Sequence, residues 1–153
     1  MKDVRDIEFA VEMEEIIEKS SQQPERLNAK LDLKMKDCSK EEGFAEFIFE
    51  VKEWCKNPYG GVHGGVISAV FDTTMGMGAV GMTKQFVTTT DISVSFLRAM
   101  NADTYIFRAD YTQVGKRLVR CTGKAIDAET GEVAATAMAS FMTIDSKPKG
   151  IQV

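Results

Sequence analysis

The 153-residue chain has a single histidine, His63, and only three cysteines, Cys38, Cys55 and Cys121, none of them in a C-x-x-C pair. A zinc site needs about four nitrogen or sulfur ligands at short spacings, which this set does not provide, so no metal is expected. The odd number of thiols suits a reducing compartment better than a disulfide framework, and a cytoplasmic location is expected. Positive charge is not in excess. With 19 basic and 23 acidic residues the formal net charge is -4, without the field that neutralises a nucleic-acid backbone, so nucleic acid is not an expected partner. The first twenty residues are too acidic for a signal peptide. No uninterrupted apolar run approaches the roughly 18 residues of a membrane span, so no membrane association is expected. Internal repeats and low-complexity tracts are also missing.

What is present is enough apolar material, 44% of residues, for one core, and a single domain over 1–153 is expected. Phe9, Ala10, Met13, Ile16 and Ile17 recur at helical spacing while Glu8, Glu12, Glu15 and Glu18 fall on other faces, which predicts an amphipathic helix packed as a lid. Leu31, Leu33 and Met35 alternate with charged residues, as do Phe47, Phe49 and Val51, predicting two half-buried strands. Period two returns in Ile92, Val94 and Phe96, in Tyr105 to Tyr111, and in Val133 to Phe141. Turns are expected at 113–117 (QVGKR) and 127–132 (DAETGE).

Between these strands, Gly65 to Met82 is apolar or small on every side, as a surrounded helix must be. Gly76, Gly78, Ala79 and Gly81 would let another backbone approach it closely. One buried helix with five or six antiparallel strands predicts an α+β domain in which a curved sheet wraps the helix.

The chemistry gathers around that helix. Gly60, Gly61, Gly64 and Gly65 bracket His63 just before it, so first-turn N–H groups and the positive helix end would face an anion or oxyanion. A plain tight turn is the competing reading. Asp72 lies nine residues beyond His63, far from either end of the helix, where an unpartnered carboxylate is costly. Either the DTT stretch breaks the helix and Asp72 caps a second one, or the residue is there for chemistry. In a continuous helix the nine residues place Asp72 about 13 Å along the axis from His63, too far to share a small reaction centre within one subunit. Two copies pairing their helices about a two-fold axis would bring them together, so the minimal active unit is expected to be a dimer. A carboxylate opposite backbone donors suits attack on an acyl carbonyl, and a thioester most of all, because a thiolate of conjugate-acid pKa about 8.5 leaves without an acid. A Cys55 nucleophile is disfavoured for want of an orienting partner.

The motif N-P-Y-G-G-V-H-G-G with Asp72 nine residues after His63, followed by TTTDISVSFLRA and VGKRLVRCTGKAIDAETGEVAATAMASFMTI, resembles hotdog-fold thioesterases of the phenylacetic-acid-degradation (PaaI-like) type. The resemblance covers nearly everything after about residue 28. It implies a hotdog fold with an extra N-terminal helical extension (1–25), a loose tail (146–153), dimers that pair into homotetramers, and acyl-coenzyme A hydrolysis with no cofactor beyond the substrate's own coenzyme A. By position it implies Asp72 as general base or nucleophile, the Gly64 N–H as carbonyl-polarising donor, and Asn57, His63 and Thr89 as orienting residues, with Thr88 and Thr90 a one-residue shift away. Gly65, Arg98, Gly115, Lys116 and Arg117 are the candidate contacts for substrate and coenzyme A phosphates. FLRAM, at 96–100, departs from the family where a proline is frequent. The substrate is expected to be an aromatic or medium-chain acyl-coenzyme A. The alternative is a non-catalytic module that binds acyl-coenzyme A or another apolar ligand on the same fold.

Overall fold

Asp6 opens the first helix, α1 (Ile7–Ser20), by accepting the Phe9 N–H at 3.0 Å, and its buried face is Phe9, Ala10 and Met13. These residues belong to a computed structural model that describes residues 3–150. The extreme ends of the expected extension and tail, residues 1–2 and 151–153, lie outside them. A short helix, α2 (Leu27–Leu31), follows. Six strands come next in the chain with one long helix among them: β1 (Lys34–Ser39), β2 (Phe44–Glu50), α3 (Gly64–Thr83), β3 (Phe86–Phe96), β4 (Thr104–Val114), β5 (Leu118–Asp127) and β6 (Val133–Ile144).

The strands form one antiparallel sheet in the order β1-β2-β4-β5-β6-β3. Both expected turns, at 113–117 and 127–132, fall where neighbouring strands join, although their first residues still belong to β4 and β5. Leu31 is a correction: it ends α2 rather than beginning a strand, because Asp32 takes a left-handed conformation (φ 49°) and closes the helix before β1 starts at Lys34.

The sheet curls around α3, whose Ile67, Val70, Phe71, Thr74, Met75 and Ala79 are buried. Phe107 from β4 meets the rings of Phe71 and Phe49 edge-on at 4.9 and 5.8 Å. Burying such side chains contributes roughly 1.5–3 kcal/mol each, which makes this cluster the main anchor of helix on sheet. By length and composition alone α3 is long and apolar enough to cross a membrane, because glycine, alanine and threonine dilute its apolar residues without making it polar, but half of its most apolar stretch is buried inside the protein. Here β4, β3, α1 and β6 pack against it.

The helix glycines also work differently from expectation. Side chains, not another backbone, fill the space they leave: a Cβ on Gly78 would collide with the Tyr111 phenol, and one on Gly81 with Met13. Tyr111 crosses α3 at that notch and donates its hydroxyl to the Met75 carbonyl at 2.7 Å.

Candidate active site

The loop before α3 is shaped by its own polar groups. Asn57 Oδ1 accepts the Tyr59 N–H at 2.9 Å, the Asn57 N–H donates to Gly61 O at 2.8 Å, and the His63 N–H donates to Cys55 O at 2.7 Å. These bonds deliver His63 to the N-cap position of α3, where Nδ1 accepts the Gly65 N–H at 3.0 Å. Histidine is outside the usual set of capping residues, so its cap role was not legible beforehand. The Val66 and Ile67 N–H groups both donate to His63 O. Of the first-turn donors, that leaves Gly64 without an acceptor among the described residues. Gly65, by contrast, has its N–H already engaged.

α3 then runs unbroken from Gly64 to Thr83, which excludes Asp72 as the cap of a second helix. Asp72 is half-buried rather than enclosed, and it has a partner: Thr89 Oγ1 on β3 donates to Asp72 Oδ1 at 2.6 Å. A bulge makes this possible. The β3–β6 register shifts between Thr89 and Asp91, so Thr89 pairs with Phe141 and Ile92 with Ala139, and both inward residues stay on the helix side. Without the extra residue, Thr89 and the Ile92/Val94 stripe would face opposite ways. Thr90, the bulged residue, donates instead to Ser140 O at 3.0 Å. Thr89 is thus the threonine of the three that meets the carboxylate.

Two separate cavities receive these groups. Asp72 and Thr89 open into one of about 460 Å³, whose apolar walls include Met77, Val80, Phe86 and Phe141. Asn57 and Gly64 line another of about 350 Å³ with Phe96 and Arg98. Eight residues of continuous helix put roughly 12 Å between Gly64 and Asp72, so one subunit does not bring carboxylate and donor together. Met77 lines the first cavity, whereas Phe71 and Met75 are spent in the core.

The candidate phosphate contacts are also divided. Arg98 sits beside Ala134, to whose carbonyl its N–H donates, and its guanidinium pairs with Glu132 at 3.2 Å. Gly115 turns β4 into β5, donating to Leu118 O at 2.9 Å. Arg117 and Lys116 follow, their carbonyls accepting from Thr143. Ala134 and Thr143 are nine residues apart on β6, roughly 30 Å, so Arg98 and the Lys116–Arg117 pair are at opposite ends of one subunit. The cysteines stay out of the site: Cys38, Cys55 and Cys121 are all buried, and burial pushes the Cys38 and Cys121 thiols up to about 12, with Asp6, Asp37 and Glu14 adding to the effect at Cys38.

Residues 59–134 match the family model described as "Thioesterase superfamily". No curated protein matches the chain by sequence. Among solved structures, the chain is similar to the PaaI protein from the phenylacetic acid degradation operon of Escherichia coli (TM-score 0.77, 16% identity, 92% of this chain and 96% of that one). It is similar to thioesterase superfamily member 2 of zebrafish (0.77, 14%, 88% and 98%) and to a thioesterase family protein from Silicibacter pomeroyi (0.75, 24%, 88% and 99%). At these identities the structural likeness establishes the fold, the expected α+β hotdog arrangement, and the chain carries an N-terminal helix beside it.

Proposed function

Because the chain belongs to the thioesterase superfamily and is a thioester hydrolase, we propose that it cleaves aromatic or medium-chain acyl-coenzyme A to free acid and coenzyme A, with each active site built by two subunits. The observation that carries this reading is the Asp72 carboxylate held at 2.6 Å by Thr89 on the rim of a largely apolar cavity. At about 460 Å³ that cavity falls within the range of small-molecule sites, large enough for an acyl group and too small for a whole coenzyme A ester.

The reaction follows from the groups available. Asp72 either takes a proton from water as it adds to the thioester carbonyl or adds to that carbonyl itself. The Gly64 N–H of the partner subunit, at the positive end of its helix, meets the oxyanion that forms. Collapse of the adduct expels the thiolate, which leaves without an acid. Where Asp72 has added, water then hydrolyses the anhydride. Asn57 and His63 hold the donor loop, and Thr89 fixes the carboxylate.

The pairing is supported by the edge of the sheet. β3 is its last strand, and Phe96 and Leu97 at the strand end, 53% and 56% exposed, flank the Gly64 cavity. A two-fold copy packed there covers both and carries Asp72 to the partner's Gly64. It also brings Arg98 of one subunit toward Lys116 and Arg117 of the other, where together they serve the coenzyme A phosphates. Two such dimers form the tetramer. The test is thiol release from a panel of acyl-coenzyme A esters by the wild type and Asp72→Ala. Loss of release in a folded variant supports the reading, and unchanged release overturns it.

A further inference from the structure

The acyl cavity has a second polar edge, contributed entirely by the N-terminal helices. Ile16, Lys19 and Ser20 stand at i, i+3 and i+4 of α1 and so share one face. With Asn28 of α2 they line the cavity that holds Asp72. Lys19, Ser20 and Asn28 also line an adjoining space of about 240 Å³ bounded by Gln22, Gln23 and Arg26, so the apolar chamber ends in a polar vestibule.

Some of the donors there are already engaged, the Ser20 hydroxyl with Ile17 O at 3.1 Å. Arg26 is engaged with Gly150 O at 3.0 Å and Lys30 with Glu25 at 3.7 Å. Among the described residues, Lys19 has no ion pair and the Asn28 side chain no hydrogen bond. An acyl group filling the chamber with a purely apolar end would displace water from the half-buried Asn28 amide and return nothing, and would leave the Lys19 ammonium at the chamber end without a partner. A distal oxygen would replace the lost water with a direct bond, and a carboxylate oxygen with a charge-assisted one.

We propose that the N-terminal extension is the specificity wall of this enzyme, and that Lys19 and Asn28 select acyl groups whose apolar middle ends in an oxygen acceptor, a hydroxyl or a carboxylate. The proposal rests on the reading of the Asp72 cavity as the acyl site. It explains why the N-terminal helices bring a cation and an amide to the cavity instead of completing its apolar lining.

The experiment compares three coenzyme A esters of equal chain length, unsubstituted, ω-hydroxy and ω-carboxy, with the wild type, Lys19→Met, Lys19→Arg and Asn28→Leu. Lys19 is exposed, so its variants should fold, which circular dichroism checks. The readout is kcat/KM for each oxygenated ester divided by that for the parent. The wild type should favour at least one oxygenated ester, and which one identifies the distal group. Lys19→Met should lower the carboxylate ratio about tenfold, as loss of one charge-assisted bond would. Lys19→Arg should preserve it, and Asn28→Leu should lower the hydroxyl ratio. Preference of the wild type for the parent ester, or ratios that stay within twofold in both Lys19→Met and Asn28→Leu, would overturn the proposal while leaving thioester hydrolysis at Asp72 intact. No release from any of the three esters would overturn the underlying reading as well.

Discussion

Thr89 Oγ1 donates to Asp72 Oδ1 at 2.6 Å, across 17 residues of sequence and from strand to helix. The β3 bulge exists, in functional terms, to allow this contact while Ile92 and Val94 still face α3. A hydrogen bond to a charged acceptor is worth about 1.5–3 kcal/mol. Thr89→Val, which keeps the shape and removes the donor, should therefore lower kcat/KM by roughly 10–100-fold with little change in thermal stability. Steady-state thiol release measures the first and a thermal melt the second.

Gly64 permits a substitution that removes one hydrogen. It is the first residue of α3, preceded by His63 at φ -61°, ψ 133°, a conformation that a following proline favours. Proline is well accepted at a first helical position, because the N–H it lacks has no helical partner there. The nearby Phe96 ring, 3.3 Å from where a Cβ would lie, is at an exposed strand end and can yield. Gly64→Pro should fold and lose roughly a hundredfold or more in kcat, the usual cost of an oxyanion donor. A proline variant with wild-type kcat would assign the donor elsewhere.

Gly78→Ala should damage stability, not chemistry. Its Cβ would collide with the Tyr111 hydroxyl, forcing the ring out of its notch and breaking its bond to Met75 O. Overpacking plus the lost bond should cost about 2–4 kcal/mol, a fall in Tm of roughly 5–15 °C. Gly76→Ala provides the contrast. There the new methyl meets only Phe141 at 3.3 Å, and helix propensity gains up to about 1 kcal/mol, so its Tm should stay near that of the wild type.

Stability should fall on the alkaline side. Burial raises Cys38 and Cys121 from an ordinary value of 9.0 to about 12. Between those values the unfolded chain releases protons that the folded chain retains, so the unfolded state gains as pH rises. The stabilisation is complete below about pH 9 and is lost toward pH 12, at about 1.4 kcal/mol per pH unit for each thiol within the window. Burial moves Tyr105 and Tyr111 upward as well, which adds in the same direction above their ordinary value of 10.0. Urea titrations from pH 8 to 10.5 should show this decline. It should be shallower in Cys38→Ala/Cys121→Ala, and an unchanged slope would contradict the assignment.

Much of this architecture was legible in the order of residues. Period-two runs such as Tyr105 to Tyr111 could serve only a sheet with one buried face, and the all-round apolar character of 65–82 left a surrounded helix as the economical solution. The errors occurred where local pattern and tertiary context diverge. Leu31, Leu33 and Met35 alternate like a strand, yet one left-handed residue, Asp32, separates the first of them from the rest. The isolation of Asp72 was an artefact of reading along the chain, since its partner arrives from another element. The notches at Gly78 and Gly81 show that something crosses closely, but not whether it is backbone or an aromatic ring. Arg98, Lys116 and Arg117 suit a phosphate by their charge; only their places along β6 show them at opposite ends of a subunit. The helical face of Ile16, Lys19 and Ser20 was visible as periodicity, whereas its place in the acyl cavity required the fold.

The central claim, that carboxylate and oxyanion donor come from different subunits, is tested most directly by mixing two inactive chains. Asp72→Ala and Gly64→Pro each spoil both sites of their own homodimer. In a heterodimer of the two, one site carries both lesions and the other pairs an intact Asp72 with an intact Gly64. After unfolding, mixing at one to one and refolding, random pairing should restore about a quarter of the wild-type thioesterase activity. Activity that stays at the level of the separate variants, in a sample shown by mass spectrometry to contain heterodimers, would contradict the shared site.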